Sequence, residues 1–179
     1  MTRRFAMALL ALVASAPAIH AGEIVIDFEQ AEIGKPTPTW TDKGVIFKLA
    51  GPLSQSKAAA RIMFFPHLAT NRKGILNAMA TEQAIPVQAT FPHSASAVTL
   101  VLWGSTGCAA SLEALDENGQ VVDKASVTAV PGRKSPADPV PFLELTVKAR
   151  AIAAIRFSGP RNGEFLAADE IRITTVDAK

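Results

Sequence analysis

The chain has 179 residues, 49% of them apolar, with 18 Lys and Arg against 16 Asp and Glu. That length suits one domain with its own hydrophobic core and is short for two. A single cysteine excludes an internal disulfide framework, so the core itself must hold the fold.

Arg3 and Arg4 precede an apolar run over residues 5–16, and Ile19-His20-Ala21 ends on a small residue. This is the pattern of an export signal cleaved after Ala21. The run is about a dozen residues long, whereas a membrane span needs roughly 20. The expectation is a signal peptide over 1–21 and one domain over 22–179. The mature chain is then exported, periplasmic or extracellular, and not stably inserted in a membrane. Loss of Arg3 and Arg4 takes the 18 basic residues to 16, equal to the 16 acidic ones. With charge balanced and no Lys/Arg run left, nothing attracts a phosphate backbone, and no nucleic-acid partner is expected.

Residues 23–29 alternate Ile24, Ile26 and Phe28 against Glu23, Val25, Asp27 and Glu29, which predicts a half-buried first strand with an acidic outer face. Gly34, Pro36 and Pro38 break the chain over residues 31–44, placing Trp40 in a loop, and residues 45–49 predict the second strand. Residues 51–77 read as a long loop around one extended segment at 61–65. Loops of that length are often functional, which makes His67, Asn71, Arg72, Lys73 and Asn77 candidate contacts. A solvated surface loop accounts for the same residues.

Residues 85–91 predict a strand that starts or edges a sheet at Pro86, followed by a break at Pro92-His93-Ser94. Residues 97–122 form the centre of the pattern. Residues 98–103 are apolar or β-branched on both faces, as in a strand covered on both sides. Leu112 and Ala114 then share a face, and Glu117-Asn118-Gly119-Gln120 signals a tight hairpin into Val121 and Val122. Residues 131–141 are a Pro-rich crossing loop, and the last strands fall near 143–157 and 165–175 around the turn at Gly159-Pro160-Arg161-Asn162-Gly163. Many short strands without an amphipathic helix predict an all-β antiparallel sandwich.

Catalytic signatures are weak. Gly104-Ser105-Thr106-Gly107-Cys108 is not a G-x-S-x-G elbow, since glycine directly precedes the serine. Cys108 reads as a small core residue, and His67 and His93 lack zinc-site context. No catalysis is expected. Asp169 has the parity of Ile171 and Ile173, so a regular strand turns its carboxylate towards the core, where a charge needs a partner. A hard cation such as Ca²⁺, Arg156 or Arg172, or a bulge that returns it to water, each satisfies that need.

A first strand ending in Phe28-Glu29, a Gly44-Val45-Ile46-Phe47 strand and a closing Ala168-Asp169-Glu170-Ile171-Arg172-Ile173 together resemble the galactose-binding-like jelly rolls. That group includes many bacterial carbohydrate-binding modules and adhesive surface domains. The resemblance implies a jelly-roll β-sandwich with a structural calcium ion joining first and last strands, its matching residues being Glu29 and Asp169 with Asp27 as a supplement. It also implies an exported, non-catalytic domain that recognises carbohydrate or another extracellular surface ligand through its loops. The chain departs from the group in having no Tyr and only Trp40 and Trp103 as large platforms. Trp40 is the expected stacking surface and Trp103 a core residue, with Arg72, Asn77, Arg161 and Asn162 as polar contacts. The alternative is a protein-interaction or structural module of the cell envelope with no affinity for sugars.

Overall fold

The computed structural model describes residues 22–50, 61–66, 73–76, 85–104, 106–135, 137–158 and 166–176. The expected leader lies outside them, as does the turn at 159–163. Among the described residues ten strands run in chain order: β1 (Glu23–Ile26), β2 (Thr39–Asp42), β3 (Val45–Leu49), β4 (Met63–Pro66), β5 (Lys73–Leu76), β6 (Val87–Gly104), β7 (Ala110–Leu115), β8 (Val121–Val127), β9 (Leu143–Ser158) and β10 (Leu166–Thr175). All their pairings are antiparallel. Among the described residues no helix is long and apolar enough to cross a membrane.

Two long strands build the architecture. The first part of β6 pairs with β3 on one side and with the last part of β9 on the other. Its second part instead runs between β10 and the first part of β9. One layer is therefore β2-β3-β6-β9-β7-β8, and the other is β4-β5-β10-β6-β9, with β1 in line with β5 along β10. The strands change layer where the register slips: Thr90 pairs Ala154 and Ala95 pairs Ile152, so residues 91–94 face one residue of β9. Such an excess bends a strand, and bends of this kind make the corners of sandwiches.

The sequence pattern predicted a break at Pro92-His93-Ser94, but β6 continues through it. Proline has no N–H to donate, and this segment makes no ladder with β9, so nothing is lost by placing Pro92 there. Two further expectations are corrected. Residues 73–76 form β5 instead of loop, and residues 39–42 form β2, joined to β3 by a two-residue turn. Lys43 (φ 46°) and Gly44 (φ 78°) both take the left-handed region, as a type I′ hairpin requires.

The core lies between the layers. Val45 and Phe47 of β3, Leu112 of β7, Ile155 and Phe157 of β9, Val98, Leu100 and Leu102 of β6 and Ile171 and Ile173 of β10 share one buried cluster. Ile171 and Ile173 lie on the face that the sequence alternation turned towards the core, and Leu112 shares a buried face with Ala114 as its spacing predicted. β1 ends at Ile26, before the predicted end at Glu29, because Phe28 takes a left-handed conformation (φ 59°). The turn delivers Phe28, fully buried, into a group of rings, with centroids 5.4 Å from Trp40, 5.6 Å from Phe47 and 6.2 Å from Phe64. Left-handed backbone is unfavourable for a bulky residue. Here the Glu29 amide donates to Asp27 Oδ1 at 3.2 Å and the Ala31 amide to the Phe28 carbonyl at 3.0 Å, holding the turn.

Candidate functional site

The candidate site begins where β6 ends. In β6 the even-numbered residues Leu100 and Leu102 enter the main core, so Val101 and Trp103 face the other way. Both are nevertheless buried, which bears out the expectation of a strand covered on both sides. Trp103, 5% exposed, pairs with Ala167 of β10 and forms a second small apolar cluster with it, against Phe65 of β4 and Val140 of the β8–β9 connection.

Two connections meet beside this indole. The Gly107 amide donates to the Val130 carbonyl at 2.9 Å, and the Val130 amide donates to the Cys108 carbonyl at 2.6 Å. A little further on, Gly132 lies so close to Thr106 that a Cβ there would stand 2.1 Å from its Oγ1. Only glycine permits that approach. The two stapled connections and the end of β6 bound an open cleft of about 370 Å³. Trp103 and Gly104 come from β6, Thr106 from the β6–β7 connection, and Pro131, Gly132, Arg133, Val140 and Pro141 from the β8–β9 connection. Pockets that hold small molecules span roughly 300–1,000 Å³ and combine apolar walls with a few placed polar groups. Its described lining residues supply indole, valine and proline walls, one hydroxyl and one guanidinium.

The β8–β9 connection was expected only to carry the chain between sheets, and its part in a site was not anticipated. The available signal was indirect: proline walls are rigid, and a tryptophan at a strand end abuts whatever loop passes over it. Cys108 is buried in the main core, where the sequence placed it.

The sequence-predicted site residues have different places. Arg72, Asn77, Arg161 and Asn162 lie outside the described residues, as do His67 and Asn71. Trp40 is in strand β2, not in a loop, and packs half-buried on the core, its ring 5.3 Å from Phe47 and 5.0 Å from Phe64.

The three acids expected near calcium sit around the junction of the first and last strands. β1 pairs with β10 from Glu23 opposite Thr174 to Ile26 opposite Ile171, so the first and last described strands lie side by side. β5 takes over along β10 at Ala168 and Ala167. Asp169 falls between, at a bulge where the register with β6 slips. A bulge was one way to return this acid to water, but Asp169 is only 3% exposed. The two arginines named as its partners have other engagements. Arg156 binds Glu113 at 2.8 Å, and Arg172 binds Glu170 and, at 3.2 Å, Glu144. The Glu170 hydrogen bond, aided by both acids' charges, holds the Arg172 guanidinium above its ordinary pKa. Glu29 accepts the Lys73 amide at 3.2 Å through Oε1, tying the end of the first segment to the start of β5. Among the described residues, no three His, Cys, Asp or Glu side chains form a group able to hold a metal ion.

No protein-family model and no curated protein matches the sequence. Among solved structures, the K2 cleaved adhesin domain of Lys-gingipain aligns over 86% of this chain and 100% of its own, with 15% identity and a TM-score of 0.49. The arabinose-bound MgGH51 α-L-arabinofuranosidase aligns over 89% of this chain and 28% of its own, with 9% identity and a TM-score of 0.49. CsCBM6-3 from Clostridium stercorarium, in complex with cellobiose, aligns over 72% of this chain and 86% of its own, with 10% identity and a TM-score of 0.37. At these values none of the alignments fixes the family or the ligand of this chain.

Proposed function

We propose that this chain is an exported, non-catalytic binding domain of the jelly-roll kind that takes a carbohydrate in the cleft beside Trp103. The carrying observation is the composition of that cleft: apolar walls from Trp103, Val140 and two prolines, with the Thr106 hydroxyl and the Arg133 guanidinium beside them. A sugar ring presents C–H surface and hydroxyls together, and such a wall meets both. The described lining residues include no carboxylate, imidazole or thiol to serve as a general acid or base. That supports binding over turnover. A structural calcium ion at the β1–β10 junction belongs to the same proposal, drawing on Glu29 and Asp169 with backbone carbonyls.

A glycan array probed with the full chain tests the reading, with Pro131→Trp as the variant that fills the cleft from an exposed wall. Retained glycans that Pro131→Trp loses, at unchanged melting temperature, are the expected result. Silence across neutral and acidic glycans, with co-purification of one envelope protein, would replace it with the protein-interaction reading.

A further inference from the structure

The bond expected to be cut on export joins Ala21 to Gly22, and Gly22 is the first described residue. It is already held by the last strand. The Gly22 carbonyl accepts two hydrogen bonds from Thr175, one from the backbone amide at 2.8 Å and one from Oγ1 at 3.0 Å. A Cβ on Gly22 would stand 3.0 Å from that same Oγ1, so the approach is close. The four residues of β1 that follow, Glu23 to Ile26, make an unbroken antiparallel ladder with Thr174 to Ile171. On its way the Val25 carbonyl also accepts Lys43 Nζ at 2.6 Å. Ile26 and Phe28 are then fully buried in the core. The expected cut therefore has no slack on its mature side.

We infer that the leader has to be removed before β1 joins β10, so that this chain is processed while unfolded; the inference rests on the export reading and its cut after Ala21. A peptidase groove takes its substrate as an extended segment, held on both sides of the scissile bond through main-chain hydrogen bonds. A carbonyl oxygen has two lone pairs, and Thr175 engages the Gly22 oxygen twice, so Thr175 and a peptidase compete for the same backbone. Cutting the folded chain waits on release of β1, and its rate falls by the fraction of time that the strand is open. Release of the whole ladder draws Ile26 out of the core, which keeps that fraction small. A chain that folds with its leader attached consequently keeps it.

The test follows cleavage of the full chain by a purified bacterial leader peptidase, read by intact mass. Three forms are compared: the full chain diluted from urea directly into the peptidase, the full chain folded beforehand, and a prefolded variant with about ten Gly and Ser residues, the first a glycine, inserted between Ala21 and Gly22. The urea-diluted chain is expected to be cut after Ala21, and the prefolded chain roughly a hundredfold more slowly. The prefolded linker variant, at an unchanged melting temperature, should be cut after Ala21 at the rate of the urea-diluted chain. A prefolded chain cut as fast as the urea-diluted one overturns the required order and leaves the leader reading standing. A linker variant as resistant as the prefolded chain also overturns it, because the block then lies elsewhere than in β1. Cleavage after Ala21 in none of the three forms removes the leader reading and the inference together.

Discussion

The carboxylate of Asp123 in β8 accepts the backbone N–H of Lys148 in β9 at 2.7 Å, across 25 residues of sequence. Its other oxygen accepts the Lys124 amide at 2.8 Å. In the first part of β9 one side pairs with β6, and β7 joins only from Ala154 onward, so the Lys148 amide belongs to an edge. Exposed edges invite pairing with other chains, and a side-chain acceptor placed over an edge amide blunts that tendency.

Asp123→Ala is expected to lower hydrogen-exchange protection at Lys148 and Lys124 while leaving the β6–β10 amides unchanged. The Lys148 amide, then that of Lys124, holds the Asp123 carboxyl below its ordinary value of 3.8. The lowered pKa means that its contribution is complete above that value and is lost as pH falls through the folded pKa. Unchanged protection at Lys148 in the variant would show that the contact contributes nothing in solution.

Glu113 stands between two cations on the outer face of the β9-β7-β8 sheet, 2.8 Å from Arg156 and 3.0 Å from Lys124. Burial pushes its carboxyl up, but hydrogen bonds from Lys124 and Arg156 outweigh this, and the pKa falls below the ordinary 4.5. Its stabilisation is thus present above about pH 4.5 and is lost on acidification. Glu113→Gln is expected to cost about 1 kcal/mol at neutral pH, the upper range of surface ion pairs. Urea melts should show that cost shrinking towards pH 3. A cost that is constant with pH would assign it to packing.

Trp40→Ala is expected to destabilise the fold by about 3 kcal/mol in urea unfolding, because it opens a cavity against Phe28, Phe47 and Phe64. Trp40→Phe should cost less than half as much. Any loss of ligand in Trp40→Ala must be judged against this damage, which is why the cleft is tested through Pro131. A stability change within the error of the melt would mean that the indole contributes little to the core.

Gly132→Ala places a Cβ 2.7 Å from Thr106 Cβ and nearer still to its Oγ1 and Cγ2. The staple between the two connections must then shift. Ligand affinity is expected to fall severalfold with a melting temperature lowered by only a few degrees, and adding Thr106→Ala should restore part of the melting temperature but not the affinity. Full affinity in Gly132→Ala would show that this approach does not shape the cleft.

The calcium proposal is read by melting in Ca²⁺ and in chelator, since an ion bound only by the folded chain raises the midpoint. A higher midpoint in Ca²⁺, abolished by Asp169→Asn, is the expected result. Identical melts in both conditions remove the ion.

Period-two alternation is a local property, so the sequence alone determined which side turns inward in the strands where it is clear, as with Ile24 and Ile26, Leu112 and Ala114, or Ile171 and Ile173. It also placed the β7–β8 turn, although Asp116 and Gly119 set its shape. The amides of Asn118 and Gln120 donate to Asp116 Oδ1, and only Gly119 is left-handed, as in a three-residue loop instead of a two-residue one. Pairing partners are another matter, because a strand's residues do not name their neighbour. That β9 lies between β6 and β7, that Asp169 is buried at a bulge, and that Trp103 lines one cleft with Pro131 and Val140 of a distant connection were decided by tertiary structure. Each depends on two segments meeting at a distance, and no periodicity within either segment carries that information.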